Sequence, residues 1–397
     1  MTIDLHYPPR ISRPLMNFVS AMTIVVLSVA CSTSPPAAHT DAPPASVTRP
    51  VAPEDSLADP LRTALQDALD RTVTEYGVPG AAVGVWLPDE GAWTAVVGAA
   101  DIEDDVAVTP EMTWPLRSIT KSYTVTLILQ LVDEGVIGLD DTIGRYVGGV
   151  TGGDTITLRE LAGMSSGNAD YTGERFVEVF SEDPSKIFTL DELNGFVLGQ
   201  PAQFAPGAEK VYTNANTNLL GAVVEKVTGR QFADVLDERI LGPLGLTNTA
   251  YVVDASLWAD PHPVGYAQGA GELEEQPDNL SIFGPAGSMI STLDDGRVWG
   301  EVLATGTLLQ PETQAERQEG APLDEGPPYD IYALGIGETA GWWGHNGEGL
   351  GFTAALFHNP ESGATVVVFM NESDIVPKAH PADQLFRRIA EILGSER

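Results

Sequence analysis

The chain of 397 residues has a single cysteine, Cys31, so no intramolecular disulfide can form and that thiol is left for another use. Basic residues are scarce, 21 against 56 acidic ones, and the net charge of −35 repels nucleic acid and anionic surfaces beyond a Debye length. Polyanionic partners are excluded, and the acidity itself reads as solubility or adaptation to a salty or exposed environment. The six histidines are scattered and none has a partner at ligand spacing, which leaves neither a metal nor a cofactor to expect. No internal repeat interrupts the chain. What remains is 43% apolar residues with 41 glycines and 29 prolines, the composition of a loop-rich globular protein with room for a large core.

Residues 1–31 read as an export signal. Arg10 and Arg13 precede a largely apolar stretch over 18–30 that is too short for a membrane span. It ends at Ser28-Val29-Ala30-Cys31, which resembles a bacterial lipobox with Ser28 where Leu or Val is usual. Lipidation of Cys31 is expected, with a cleaved, unlipidated signal as the alternative. Residues 32–54, rich in Pro, Ala, Ser and Thr, cannot bury enough apolar surface to order and read as a tether. The expected location is therefore extracytoplasmic, with membrane contact only through the lipid.

From residue 55 the pattern is that of one folded unit. Asp59-Pro60 opens a helix with Leu61, Leu65, Ala68, Leu69 and Val73 on one face, closed by Gly77 and Pro79. Runs at 81–87 and 92–98 flank the turn Pro88-Asp89-Glu90-Gly91 and predict an antiparallel hairpin. Further strands are predicted at 331–336, 341–344, 352–358 and 364–370, then a helix over 381–393. Between these ends the signals are mostly helical, including capping-box spacing at Thr157/Glu160 and Thr189/Glu192 and a helix over 219–227 ending at Gly229. The two termini are expected to share one sheet (55–115 and 305–397) around a helical insertion (116–304).

Ser118-Ile119-Thr120-Lys121 stands before the apolar run 125–132, which predicts a buried helix. Positions i and i+3 share a helix face, so the Lys121 amine can reach the Ser118 hydroxyl, and burial would depress its pKa enough for a base. Lys121 is also the only lysine in the first 185 residues, a placement that resists a surface explanation. Tyr212-Thr213-Asn214 follows Pro206-Gly207 and precedes a helix. Tyr212 can pass a proton, and Asn214 can hold the amine and a substrate amide. His345-Asn346-Gly347 lies in a strand-like stretch where the histidine can supply a hydrogen bond or partial positive charge, and Gly347 can admit a substrate backbone to a strand edge. Gly163-Met164-Ser165-Ser166-Gly167 offers a rival nucleophile at Ser165, but the elbow it matches needs a strand before it and Thr157 to Glu160 reads as helix.

These three elements in this order resemble the serine β-lactamase and penicillin-binding-protein superfamily, most closely its DD-carboxypeptidase and class C β-lactamase-like branch. The likeness extends through Val132-Asp133-Glu134-Gly135, Leu139-Asp140-Asp141, Pro206-Gly207 and the segment from Ala286 to Thr292. The resemblance implies an α+β fold of the β-lactamase/DD-peptidase type. It also implies an acyl-enzyme on Ser118 with Lys121 as base, Tyr212 as proton shuttle, Asn214 as amide contact, His345 as third-motif cation, and an oxyanion hole of the Ser118 and Glu348 N–H groups. Asn346 and Glu348 depart from the hydroxyl side chains that bind a substrate carboxylate in several members of that branch. The substrates implied are small peptides, amides or esters, cell-wall peptides among them. A D-alanyl-D-alanine carboxypeptidase-like activity comes first, esterase next and β-lactamase third, beside a penicillin-recognising sensor with little turnover. The oligomeric state is left open. Mass spectrometry of the mature protein is expected to find a diacylglyceryl adduct on Cys31; a mature N-terminus at any other residue ends that assignment.

Overall fold

The computed structural model describes residues 48–53, 57–268, 272–374 and 380–395, all within one compact unit spanning 44–397. The signal-like segment, Cys31 and the tether up to residue 47 lie outside the described residues. Helix α1 (Asp59–Tyr76) buries Leu61, Leu65, Ala68 and Leu69 along one face and stops where Gly77 turns left-handed at φ +66°. Its cap is Ala58 rather than Asp59, and Asp59 contributes instead as negative charge in the first turn. Strands β1 (Gly80–Leu87) and β2 (Gly91–Asp101) form the expected hairpin, with Leu87 opposite Gly91, and β3 (Val106–Ala107) adds to its outer edge.

Three longer helices follow in the middle of the chain, α2 (Thr120–Asp133), α3 (Asn214–Thr228) and α4 (Leu293–Thr305). The chain then returns to the sheet as β4 (Ile331–Tyr332), β5 (Gly337–Thr339), β6 (Trp342–Gly349), β7 (Phe352–Asn359) and β8 (Ala364–Met370), and ends in α5 (Pro381–Ser395). The eight strands lie in the order β3-β2-β1-β8-β7-β6-β5-β4, with every neighbouring pair antiparallel. The termini thus meet at the β1–β8 pair, where Val83 faces Val368 and Val85 faces Val366.

Strand periodicity explains why β1 and β8 are apolar along their whole length. Ala81, Val83, Val85, Val366, Val368 and Met370 pack with α1 and α5, whereas Ala82, Trp86, Val367 and Phe369 pack on the opposite face with α4. A sheet covered on both faces has no solvent side to alternate toward.

Between β3 and β4 both predicted capping boxes form, at Thr157/Glu160 and Thr189/Glu192. The insertion also holds short strands that the helical signals hid, Met289–Ser291 between Trp114–Pro115 and Ala250–Tyr251, and Tyr266–Gln268 with Leu273–Glu275. The strand predicted over 331–336 pairs only at 331–332, and the one predicted over 341–344 continues to Gly349. These short or extended edges follow from tertiary pairing, which local propensity does not report.

Residues 48–53, assigned by composition to the tether, are held against α4. The Arg49 Nη2 atom lies 2.5 Å from Asp294 and 2.9 Å from Asp295, and Arg297 donates to the Pro50 carbonyl at 2.9 Å. Asp295 is buried and also accepts from the Asn248 N–H and the Thr249 hydroxyl. Asp295→Ala is expected to cost about 3 kcal/mol in urea unfolding because it strands these buried donors. Arg49→Ala, at a partly exposed pair, is expected to cost under about 1 kcal/mol. A parent-like midpoint for Asp295→Ala would contradict this account.

Candidate active site

Ser118 sits in a single 3-10 turn, Arg117–Ile119, that runs directly into α2. The turn is pinned by the Leu116 N–H donating to the Met289 carbonyl. The first turns of α2 are anchored by buried groups: Ser122 accepts from Trp299 Nε1 at 2.9 Å, and Arg317 donates to the Thr126 hydroxyl and the Ser122 carbonyl. Lys121, one turn on, is 0% exposed. Its Nζ lies 2.9 Å from Ser118 Oγ, 2.7 Å from Asn214 Oδ1 and 2.9 Å from the Ala286 carbonyl.

Burial lowers the Lys121 pKa to about 7, with the negative charge of Asp170 acting in the opposite direction. A neutral amine has two N–H groups, which Asn214 and Ala286 accept, and one lone pair, which then faces the Ser118 hydroxyl. The arrangement is that of a base hydrogen-bonded to its nucleophile.

Tyr212 and Asn214 flank the start of α3, where Thr213 accepts from the Ala215 N–H as a helix cap. The Tyr212 ring lies 5.0 Å from the Lys121 Nζ. Its hydroxyl is buried and makes no full hydrogen bond among the described residues, while interaction with Ser118 partly offsets the upward push of burial on its pKa. The phenol therefore stays protonated at any ordinary pH. Asp170 holds this segment in place by accepting from the Asn214 N–H at 2.6 Å and the Thr213 hydroxyl at 2.9 Å.

Strand β6 brings the third motif alongside, with two corrections. His345 is 0% exposed and its pKa is lowered to about 3, first by burial and then by the Lys121 charge, so the expected cation is a neutral imidazole. Its Nδ1 lies 2.5 Å from the Asn346 carbonyl, which calls for the proton there, and Nε2 then accepts from the Tyr332 hydroxyl at 3.3 Å. The His345 and Tyr212 rings are 6.1 Å apart. Asn346, expected to touch substrate, is buried and turned inward: its Oδ1 accepts from Tyr329 at 2.7 Å and its Nδ2 lies 3.4 Å from Asp383 of α5.

Gly347 also makes room for another part of the chain. A Cβ there would fall 2.3 Å from the Leu116 carbonyl oxygen and 3.0 Å from the Ser118 nitrogen, so the missing side chain admits the nucleophile's own backbone. The Tyr329 hydroxyl takes the Asn346 N–H at 2.9 Å, on the side of β6 away from β7. Two residues on, strand periodicity turns the Glu348 N–H to the same side, while the Glu348 side chain is exposed.

Ser165 follows the helix Leu158–Ala162 and sits in a loop where its backbone bonds to Glu160 and Gly207. The strand that an elbow requires is absent before it. Its neighbour Ser166 supports α3 instead, donating to Asn216 Oδ1 at 2.7 Å. The motifs did not single out Asp170, Arg117, Tyr329 or Tyr332. Asp170 lay three residues beyond the Ser-Ser-Gly segment, where a carboxylate before a helix-entering loop was a usable signal. The other three carry no local pattern.

The chain is similar along most of its length to several known proteins. The Protein flp of Staphylococcus aureus is 25% identical over 343 residues, which cover 81% of this chain and 66% of that protein. A D-aminopeptidase of Brucella canis is 28% identical, covering 75% of this chain and 57% of that protein. The chain thus spans somewhat under two thirds of the length of these relatives. The crystal structure of a D-stereospecific amidohydrolase from a Streptomyces species superposes with a TM-score of 0.72 at 28% identity, over 82% of this chain and 97% of that one. The Beta-lactamase family model matches residues 65–390, and with the Ser118–Lys121–Tyr212 constellation assembled inside that span, the chain belongs to the Beta-lactamase family.

Proposed function

We propose that this hydrolase cleaves amide bonds of D-amino acid amides and of short peptides with an amino-terminal D-residue, through an acyl-enzyme on Ser118. The observation that carries the chemistry is the fully buried Lys121 amine, 2.9 Å from Ser118 Oγ with a pKa near 7. Tyr212 cannot be the base, because its pKa is displaced upward from an already high value. Neutral Lys121 takes the Ser118 proton as the hydroxyl oxygen attacks the carbonyl carbon. The oxyanion is received by the Ser118 and Glu348 N–H groups. The Tyr212 phenol gives its proton to the departing nitrogen and is reprotonated by the Lys121 ammonium. Water repeats the sequence to release the acid.

The choice of substrate rests on the leaving-group side. A carboxypeptidase needs a cation or hydroxyl for the terminal carboxylate of its substrate. Among the described residues of the third motif, His345 is uncharged, Asn346 is engaged internally and Glu348 is an exposed acidic side chain. The net charge of −35 adds to that bias against anionic substrates. The D-aminopeptidase and D-stereospecific amidohydrolase among its relatives support the same reading. Carboxypeptidase action on D-alanyl-D-alanine is the second reading, favoured by the Tyr212–Asn214 motif and its place beside Lys121. Residues 1–31 support export, with Cys31 as lipid attachment point.

Comparing kcat/KM for D-amino acid amides, acetylated D-alanyl-D-alanine peptides, simple esters and a cephalosporin tests the reading; a preference for the carboxylate-terminated peptides would reverse it. Ser118→Ala and Lys121→Ala should each lower kcat by about a thousandfold or more with the fold intact, since members of one proton-transfer unit fail together. Because the competent form of Lys121 is the neutral amine, log(kcat/KM) is expected to rise with pH at unit slope and level off above about 7. His345→Gln should leave that limb in place, as its imidazole is already neutral there. Asp170→Asn keeps an acceptor for the Asn214 N–H but removes the charge that favours the ammonium, so the limb should move to lower pH. A limb that moves upward in Asp170→Asn, or vanishes in His345→Gln, assigns the titration to another group.

A further inference from the structure

Arg117 immediately precedes the nucleophile and has φ +49°, in the left-handed region that favours glycine. Its long side chain does not reach solvent, being 2% exposed. Nε donates to the Gly349 carbonyl at 2.9 Å and Nη2 to the Leu350 carbonyl at 3.3 Å. The guanidinium also lies 4.7 Å from the Phe283 ring centre and 5.2 Å from that of Phe352. Nη1 is buried without a hydrogen-bond partner among the described residues. Burial lowers its pKa to about 9, against the charge of Asp278, so at neutral pH it remains a cation. A strained backbone, a buried charge and an unsatisfied donor all weigh against stability at this one position.

The two carbonyls it grips belong to the turn directly after Glu348, where Gly349, Leu350 and Gly351 have φ of +143°, +39° and +79°. On the other side of Glu348, Gly347 rests on the backbone of residues 116–118. Glu348 is therefore held from both sides by the nucleophile's own turn, once through backbone contact and once through the Arg117 side chain.

We propose that Arg117 is a positioning residue for the oxyanion hole: by holding the Gly349 and Leu350 carbonyls it sets the spacing between the Ser118 and Glu348 N–H groups. The inference rests on the acyl-enzyme reading above. Arg117→Gly removes the strut while suiting the backbone angle, and Arg117→Lys can reach only one of the carbonyls. Both are compared with the parent, as full chains, for p-nitrophenyl acetate turnover, affinity for phenylboronic acid (which forms a tetrahedral adduct on the serine), the pH profile and thermal midpoint. In Arg117→Gly, kcat and boronate affinity should fall together by about 10- to 100-fold, with KM little changed and the acid limb unmoved. Arg117→Lys should lie between it and the parent.

Turnover and boronate affinity within twofold of the parent in the folded variants would overturn the assignment, leaving a structural arginine whose loss moves only the midpoint. A raised KM at constant kcat would equally overturn it in favour of a substrate contact. Should Arg117→Gly fail to fold, Arg117→Lys decides by the same criteria. Loss of the acyl-enzyme reading has a separate signature: a parent protein that a fluorophosphonate does not label at Ser118. Labelling intact with unaltered variants sinks only the role of Arg117.

Discussion

The whole site depends on keeping one amine dry. Lys121 is surrounded by the Asn214 side chain, the Ala286 carbonyl, the Tyr212 ring and Ser118, and water has no access to it. Removing water disfavours the ammonium, and the neutral form that results is the one whose lone pair can take a proton. Every element that contributes to this enclosure comes from a different part of the chain: α2, the start of α3, and the loop before Met289–Ser291. The reactive state of Lys121 is thus a property of the packed body rather than of Ser-x-x-Lys itself.

Behind the amine, the protein favours uncharged aromatic and imidazole groups over further cations. Tyr212, Tyr329, Tyr332 and His345 pack with ring centres 5.6 to 6.1 Å apart. Burial drives the tyrosine pKa values up and the histidine pKa down, so all four stay neutral. A second charge at 345 would make Lys121 still harder to protonate but would itself have to be desolvated. The same concern for charge explains Asp170, which sits near enough to moderate Lys121 while its Oδ2 is occupied by the α3 entry loop and its Oδ1 by Thr172.

Much of the architecture was legible in the residues. The hairpin, the capping boxes, the buried helix after Ser118 and the apolar runs of β1 and β8 each carry a local periodic or turn signal, and local signals survive folding when the environment agrees with them. The short strand pairings of the insertion were not legible, because two or three residues of edge pairing leave no period to detect. The tether's inner end was missed for a related reason: Arg49 docks by ion pairs with Asp294 and Asp295, and composition does not register a single anchoring side chain.

In the site itself, the sequence determined which groups are available: a hydroxyl and an amine one helical turn apart at 118 and 121, a phenol at 212, an imidazole at 345 and a glycine at 347. Covalent spacing along a helix or strand is enough for that. Only the tertiary structure decided what state and direction those groups take. The charge on an imidazole depends on how much water surrounds it, so 345 became neutral. The aim of a side chain depends on which face of a strand meets the core, so Asn346 turned toward α5. Gly347 turned out to accommodate the backbone at 116–118, because a close approach between segments more than two hundred residues apart is set by packing and has no trace in either segment alone.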